Sequence, residues 1–260
     1  MKKTCLIMLA TMIGIIFACK PFAENSSQFD QNKVYQKELK SFYEKQCSLW
    51  NKFNTKSFTR TGDLNSVIGY DEFENDELFQ QIKIDLIAFC KEHQDILNYN
   101  LEEEQQYQNI NELTIDERNS LLNQSASHEF CHTIQNIENG DYSIIDIESI
   151  LANPSLSPKE QLCLIYMSAV INSSTDKDIL SFNSSKDCLG VFNKGRRVCL
   201  RDYLVGCSLA FFSTPFLATL GIAYSTYQYI ECDKTGKALY RACTNGYTNQ
   251  ETDSIKKTEN

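Results

Sequence analysis

Several ordinary sequence features are scarce here, and each scarcity removes a class of protein. No segment sustains an alternation of apolar and polar residues, and no Asn-Gly turn sits between apolar runs, so nothing argues for strands or β-hairpins. There is no Gly-rich phosphate loop and no Gly-x-Ser-x-Gly elbow, which leaves no sequence basis for a P-loop nucleotide site or a serine-hydrolase nucleophile. Internal repeats are absent as well. Positive charge is short, with 25 Lys and Arg against 34 Asp and Glu and a net charge of −9. That balance disfavours nucleic acid as a partner, because phosphate binding is carried by basic surface. Only three His are available for metal or acid-base chemistry.

What remains is globular in composition, 42% hydrophobic and 23% charged, which is enough apolar material for a real core. The spacing of the apolar residues predicts an all-α fold, a helical bundle followed by a Cys-rich α-hairpin. Helices are expected over about 34–53, 77–97, 114–140, 142–152 and 157–171. Two starts are well marked. Thr114-Ile115-Asp116-Glu117 and Ser157-Pro158-Lys159-Glu160 both have the form of a capping box, and the second adds Pro at the first helical position.

The N-terminus reads as an export signal: Lys2 and Lys3 precede an uncharged apolar run from Cys5 to Ala18 that is shorter than the roughly 20 residues of a membrane span. The run ends in Ile16-Phe17-Ala18-Cys19. This string resembles a lipobox, and the resemblance implies cleavage before Cys19, lipidation of its thiol and a lipid-anchored protein of the bacterial envelope. A cut after Ala23, or retention of the segment as an anchor, also leaves the remainder outside the cytoplasm. The expected order is signal peptide 1–18, polar tether 19–33, helical domain 34–171, linker 172–187, Cys-rich hairpin 188–245 and polar tail 246–260. This layout is similar in architecture to lipoproteins of Bacteroides-type bacteria, a resemblance that implies no activity.

The chain has eleven Cys. Cys5 leaves with the signal and Cys19 takes the lipid, which leaves an odd number of nine to pair in an oxidising compartment. Five of them, Cys188, Cys199, Cys207, Cys232 and Cys243, fall in the C-terminal segment. From Tyr203 to Ile230 that segment carries no charge, while Lys194, Arg196, Arg197 and Arg201 precede it and Glu231, Asp233, Lys234 and Lys237 follow. Length alone allows a membrane helix. Ser213-Thr214-Pro215 near the middle starts a new helix more naturally than it kinks an old one, which favours a hairpin of about 196–212 and 215–231. Folding there brings Cys199 to Cys232 as a disulfide, with one further bridge drawn from Cys188, Cys207 and Cys243. Gly206, Ala210, Ala218 and Gly221 would let the two helices approach closely.

One string suggests chemistry. Ser127-His128-Glu129-Phe130-Cys131-His132 contains His-Glu-x-x-His. It resembles the zincin motif, which implies His128 and His132 as zinc ligands one helical turn apart and Glu129 as the general base. The third ligand is open: Glu138 has a metzincin's spacing without the Gly that turns the chain, and Glu148, on a following helix, is the candidate of a gluzincin-like arrangement. Leu122, Ala126, Phe130, Ile134 and Ile137 share one helical arc as the expected core face, so the two His fall on the opposite side. There they suit either a cleft or an ordinary solvated surface. His93 reads as a surface residue. The acidic stretch of Glu102, Glu103 and Glu104 with Asp116 and Glu117 has no Gly-punctuated frame for calcium and reads as solvated.

Two functions follow. The first is an envelope protein that acts by binding or membrane contact through its stapled hairpin, with the membrane and an envelope protein as partners and no cofactor. The second is a small zinc metallopeptidase.

Overall fold

The computed structural model describes residues 32–55, 70–98, 113–139, 141, 145–174, 186–212, 221–237, 240 and 243. Among them the regular structure is α-helical throughout, with no strand. The helices are α1 (32–55), α2 (Tyr70–Glu74), α3 (Glu77–Glu92), α4 (Gln94–Leu97), α5 (Ile115–Ser125), α6 (His128–Glu138), α7 (Ile147–Ala152), α8 (Pro158–Ser174), α9 (Lys186–Phe212) and α10 (221–237). The chain divides into two compact units, Met1–Ser41 and Phe42–Asn260. Of the first, only the opening of α1 is described. Cys19, the acidic run at 102–104, the Ser213-Thr214-Pro215 turn and the tail at 246–260 lie outside the described residues.

The second unit is organised around α8. Every residue from Glu160 to Ile171 is buried, so this helix has no solvent face for most of its length. A helix that is apolar all round belongs in the interior of a fold, and α4, α7 and α9 pack against it. An aromatic cluster joins it to the early helices: Trp50 of α1 meets Phe53, Phe79 and Tyr166, and Phe73 packs on both Phe53 and Phe79. Trp50, Phe79 and Tyr166 are 0, 0 and 1% exposed, so large side chains of three helices meet in the interior. Offset and edge-on rings of this kind contribute about 0.5–1.5 kcal/mol per pair beyond their buried area. At the far end, Asn54 donates to the Ser173 carbonyl at 3.1 Å and so ties the ends of α1 and α8 together.

The helix starts follow from local chemistry. At α5 the Thr114 hydroxyl accepts from the Glu117 amide at 3.3 Å, and the Glu117 carboxylate accepts from the Thr114 amide at 2.8 Å. The Thr114 amide and then its hydroxyl, both donating to the carboxylate, hold the Glu117 carboxyl below the usual carboxylate range. At α8 the same reciprocal pattern links Ser157 and Glu160, with an addition. The second oxygen of Glu160 accepts from the backbone amide of Ser127 at 2.7 Å. One buried carboxylate therefore fixes the starts of two helices.

Several expected elements differ. The helix expected over 114–140 is broken at Ala126 and Ser127, where Ser127 is extended (φ −68°, ψ 156°) and caps α6 by accepting from Phe130 at 3.1 Å. The helix expected over 77–97 is interrupted at His93, and Asn98, left-handed at φ 52°, closes α4. His93 is not a surface residue: it is 8% exposed, with its ring against Phe89 at 4.3 Å. In α9 the helix begins at Lys186, well before the expected residue 196 and inside the expected linker 172–187. The hairpin is not set apart from the helical domain 34–171. Its first helix packs on α5, α6 and α8, and residues 42–260 form one unit.

Replacing Glu160 with Ala removes three hydrogen bonds to a buried carboxylate and is expected to lower unfolding stability by about 2–4 kcal/mol. Urea denaturation beside Glu117→Ala checks this. The exposed box of Glu117 should cost less, and equal effects would mean that the bond to Ser127 carries no weight.

Candidate functional site

Two regions carry the residues singled out by sequence. The first is α6. Its buried face is Phe130, Thr133, Ile134 and Ile137, while His128 and His132 are exposed on the other side and Glu129 is half-buried between them. The helix thus turns the His pair outward, as the apolar arc requires.

The neighbours of these groups are structural. The Glu129 carboxylate accepts from the Asn153 side chain at 3.1 Å, which links α6 to the loop between α7 and α8. The His132 ring lies 3.2 Å from the Asn136 amide nitrogen, one turn further on. The Cys131 thiol is half-buried and pushed above its ordinary range by burial and then by the Glu160 charge, so it is a poor thiolate at neutral pH. Glu148 stands exposed in the first turn of α7, a helix capped by Asp146, which accepts from Ser149 at 3.1 Å. His128, His132, Glu138 and Glu148 are all described, yet no group of three or more His, Cys, Asp or Glu among the described residues is placed to hold a metal ion. The two His are one turn apart, but neither candidate third ligand joins them.

The second region is the antiparallel hairpin of α9 and α10. Its pairings step in register along the two helices: Cys188 is bonded to Cys243, Phe192 meets Tyr240, Arg196 faces Asp233, Cys199 is bonded to Cys232, Tyr203 stacks on Tyr229, and Gly206 lies against Ser225. The Cys199–Cys232 bond joins the hairpin midway along α9, and Cys188–Cys243 is the second bridge, near the end away from the turn. Such bridges between distant cysteines suit an oxidising compartment rather than the cytoplasm. Between the two bonds lies a buried ion cluster, where Asp233, 4% exposed, takes Lys237 at 2.8 Å and Arg196 at 3.8 Å. In the sequence these charges stand only as flanks of the apolar run. Their spacing on α10, one turn apart, was the available signal.

The described part of the apolar run is largely interior. Tyr203 to Phe211 is buried without interruption, as are Ile222, Ala223, Tyr229 and Ile230. Among the described residues no helix is long and apolar enough to cross a membrane. The described part of α9 in this run is covered by α5, α6, α8 and α10. Toward the stapled end of the hairpin, Arg197, Val198, Asp202 and Cys232 reach solvent.

No protein-family model matches the chain, and no curated protein or solved structure is similar enough to it to match.

Helix approach at Gly206 gives a direct test of the hairpin. A Cβ at this position would lie 2.6 Å from the Ser225 hydroxyl, a distance that forces a shift. Gly206→Ala is expected to cost about 1–3 kcal/mol from overpacking, and Ser225→Ala in the same chain should restore most of it. Thermal unfolding of the two single variants and the double variant measures the coupling.

Proposed function

We propose that this chain is an exported, lipid-anchored protein of the bacterial envelope that acts by binding another envelope protein through the stapled end of its C-terminal hairpin. The observation that carries the reading is the clustering of both disulfides and the Arg196–Asp233–Lys237 cluster at that end. A surface held by covalent and ionic links loses little freedom on binding, so more of its contact energy appears as affinity. Beside Cys199 the end presents Val198, 46% exposed, between Arg197 and the half-buried Arg201. An apolar centre with Arg neighbours is the composition favoured at protein interfaces. The membrane partner enters through the lipid on Cys19, because the apolar residues of the hairpin are occupied inside the fold.

A photo-crosslinking residue at Val198 in living cells tests this, with Ile84, another exposed apolar position, as the control. A discrete adduct from 198 and none from 84 is expected. No adduct from 198, or the same adducts from both, would rule out the stapled end as the contact. The anchor is tested in parallel, since Cys19→Ala should move the protein from the membrane fraction to the soluble one.

A zinc metallopeptidase is the second reading, favoured by the exposure of His128 and His132 one turn apart on α6. It requires a third donor, Glu148 or another, to reach the pair, and Glu129 to leave Asn153. Zinc per molecule in the mature chain, beside a variant with His128→Ala and His132→Ala, decides it. About one zinc lost with the two His supports the peptidase, and an equal metal content in both chains removes it.

A further inference from the structure

Five cysteines are unbonded among the described residues: Cys47, Cys90, Cys131, Cys163 and Cys207. Three of them lie beside other kinds of side chain. Cys47 lies against Tyr43, Cys90 is near Lys159, and Cys131 is near Glu160. The other two lie against each other. Cys163 of α8 and Cys207 of α9 are both 0% exposed, and the two thiols are neighbours across the interface of two packed helices. The Cys163 sulfur is also 4.0 Å from the Ser208 hydroxyl, so it sits over consecutive residues of α9.

We propose that Cys163 and Cys207 form a third disulfide in the exported protein, one that joins the central helix α8 to the hairpin. The proposal rests on the reading that the chain folds in an oxidising compartment. The step is two thiol–disulfide exchanges with a disulfide-bearing oxidant, such as a periplasmic thiol oxidoreductase. One protein thiolate attacks the oxidant's disulfide and releases the first oxidant thiol. The second thiolate then attacks the resulting mixed disulfide, forms the protein bond and releases the other oxidant thiol. Two electrons pass to the oxidant, and the two protons lost by the protein end on its thiols.

The same burial dictates when this occurs. Burial, and then the neighbouring Cys207 thiol, pushes the Cys163 thiol well above its ordinary range, and nothing the size of an oxidant reaches either sulfur once α8 is covered. Exchange therefore belongs to the folding chain, before α9 closes over α8. The odd count of mature cysteines is consistent with this assignment: three bridges leave Cys47, Cys90 and Cys131 as single thiols. Cys90 is shielded, with burial pushing its thiol up to about 12.

The test uses the full chain made by secretion, quenched in acid, unfolded without reductant and alkylated, followed by intact mass and peptide mapping. The expected result is a Cys163–Cys207 cross-linked peptide, with label on Cys47, Cys90 and Cys131 alone. In a Cys207→Ala variant, Cys163 should become labelled. Label on both Cys163 and Cys207 of the parent chain, with Cys188–Cys243 and Cys199–Cys232 intact, overturns the proposal and leaves the export reading standing. Loss of all three bridges overturns both. A Cys163 that stays unlabelled in the variant shows a different partner and also overturns it.

Discussion

The fold depends on where the Glu160 carboxylate sits. It is 3% exposed, and its oxygens accept from the amide and hydroxyl of Ser157 and from the amide of Ser127. A carboxylate in that position is tolerable only when such donors meet it, since an unmatched buried charge is costly. Meeting it fixes the first turn of α8, and α8, buried from Glu160 to Ile171, sets the register of the helices around it. The donor from Ser127 fixes the start of α6 in the same frame. Ser168 extends the arrangement by donating to the Ile145 carbonyl at 2.8 Å, which anchors the approach to α7.

The hairpin acquires its shape from the same centre. With α8 inside, the apolar stretch of α9 has a surface to cover, and its lack of charge from Tyr203 onward is the composition of a core helix. Charge returns where the hairpin leaves the core, and there Asp233 is shared by two cations beside a disulfide. Buried ion clusters contribute little net stability compared with apolar packing, but they discriminate strongly against a slipped register. In this chain the bridges and the ions specify one alignment of α9 on α10 and leave a defined solvent-facing end.

Local signals were legible and long-range ones were not. The two capping boxes were readable because both partners lie within four residues, and the Cys199–Cys232 pairing followed from the placement of one turn. The break at Ala126 and Ser127 was not readable. Its decisive partner, Glu160, is 33 residues away, and position 130 holds Phe, so no box marks the start of α6. His93 looked solvated beside Lys91, Glu92 and Asp95, yet the helix interruption turns its ring onto Phe89. The face of α6 that bears His128 and His132 was predictable from the apolar arc. The engagement of Glu129 by Asn153 was not, because it requires knowing where the loop before α8 returns.

The burial of α8 also bears on the order in which the protein can be completed. α8 is covered from both sides in sequence, by Trp50, α4 and α7 before it and by α9 after it, so a chain emerging from its N-terminus leaves part of Leu162 to Ile171 uncovered until α9 arrives. Completion of the core therefore waits for α9, whose contacts with α8 are distant in sequence. Truncation that removes α9 uncovers the interior of the protein rather than trimming an appendage.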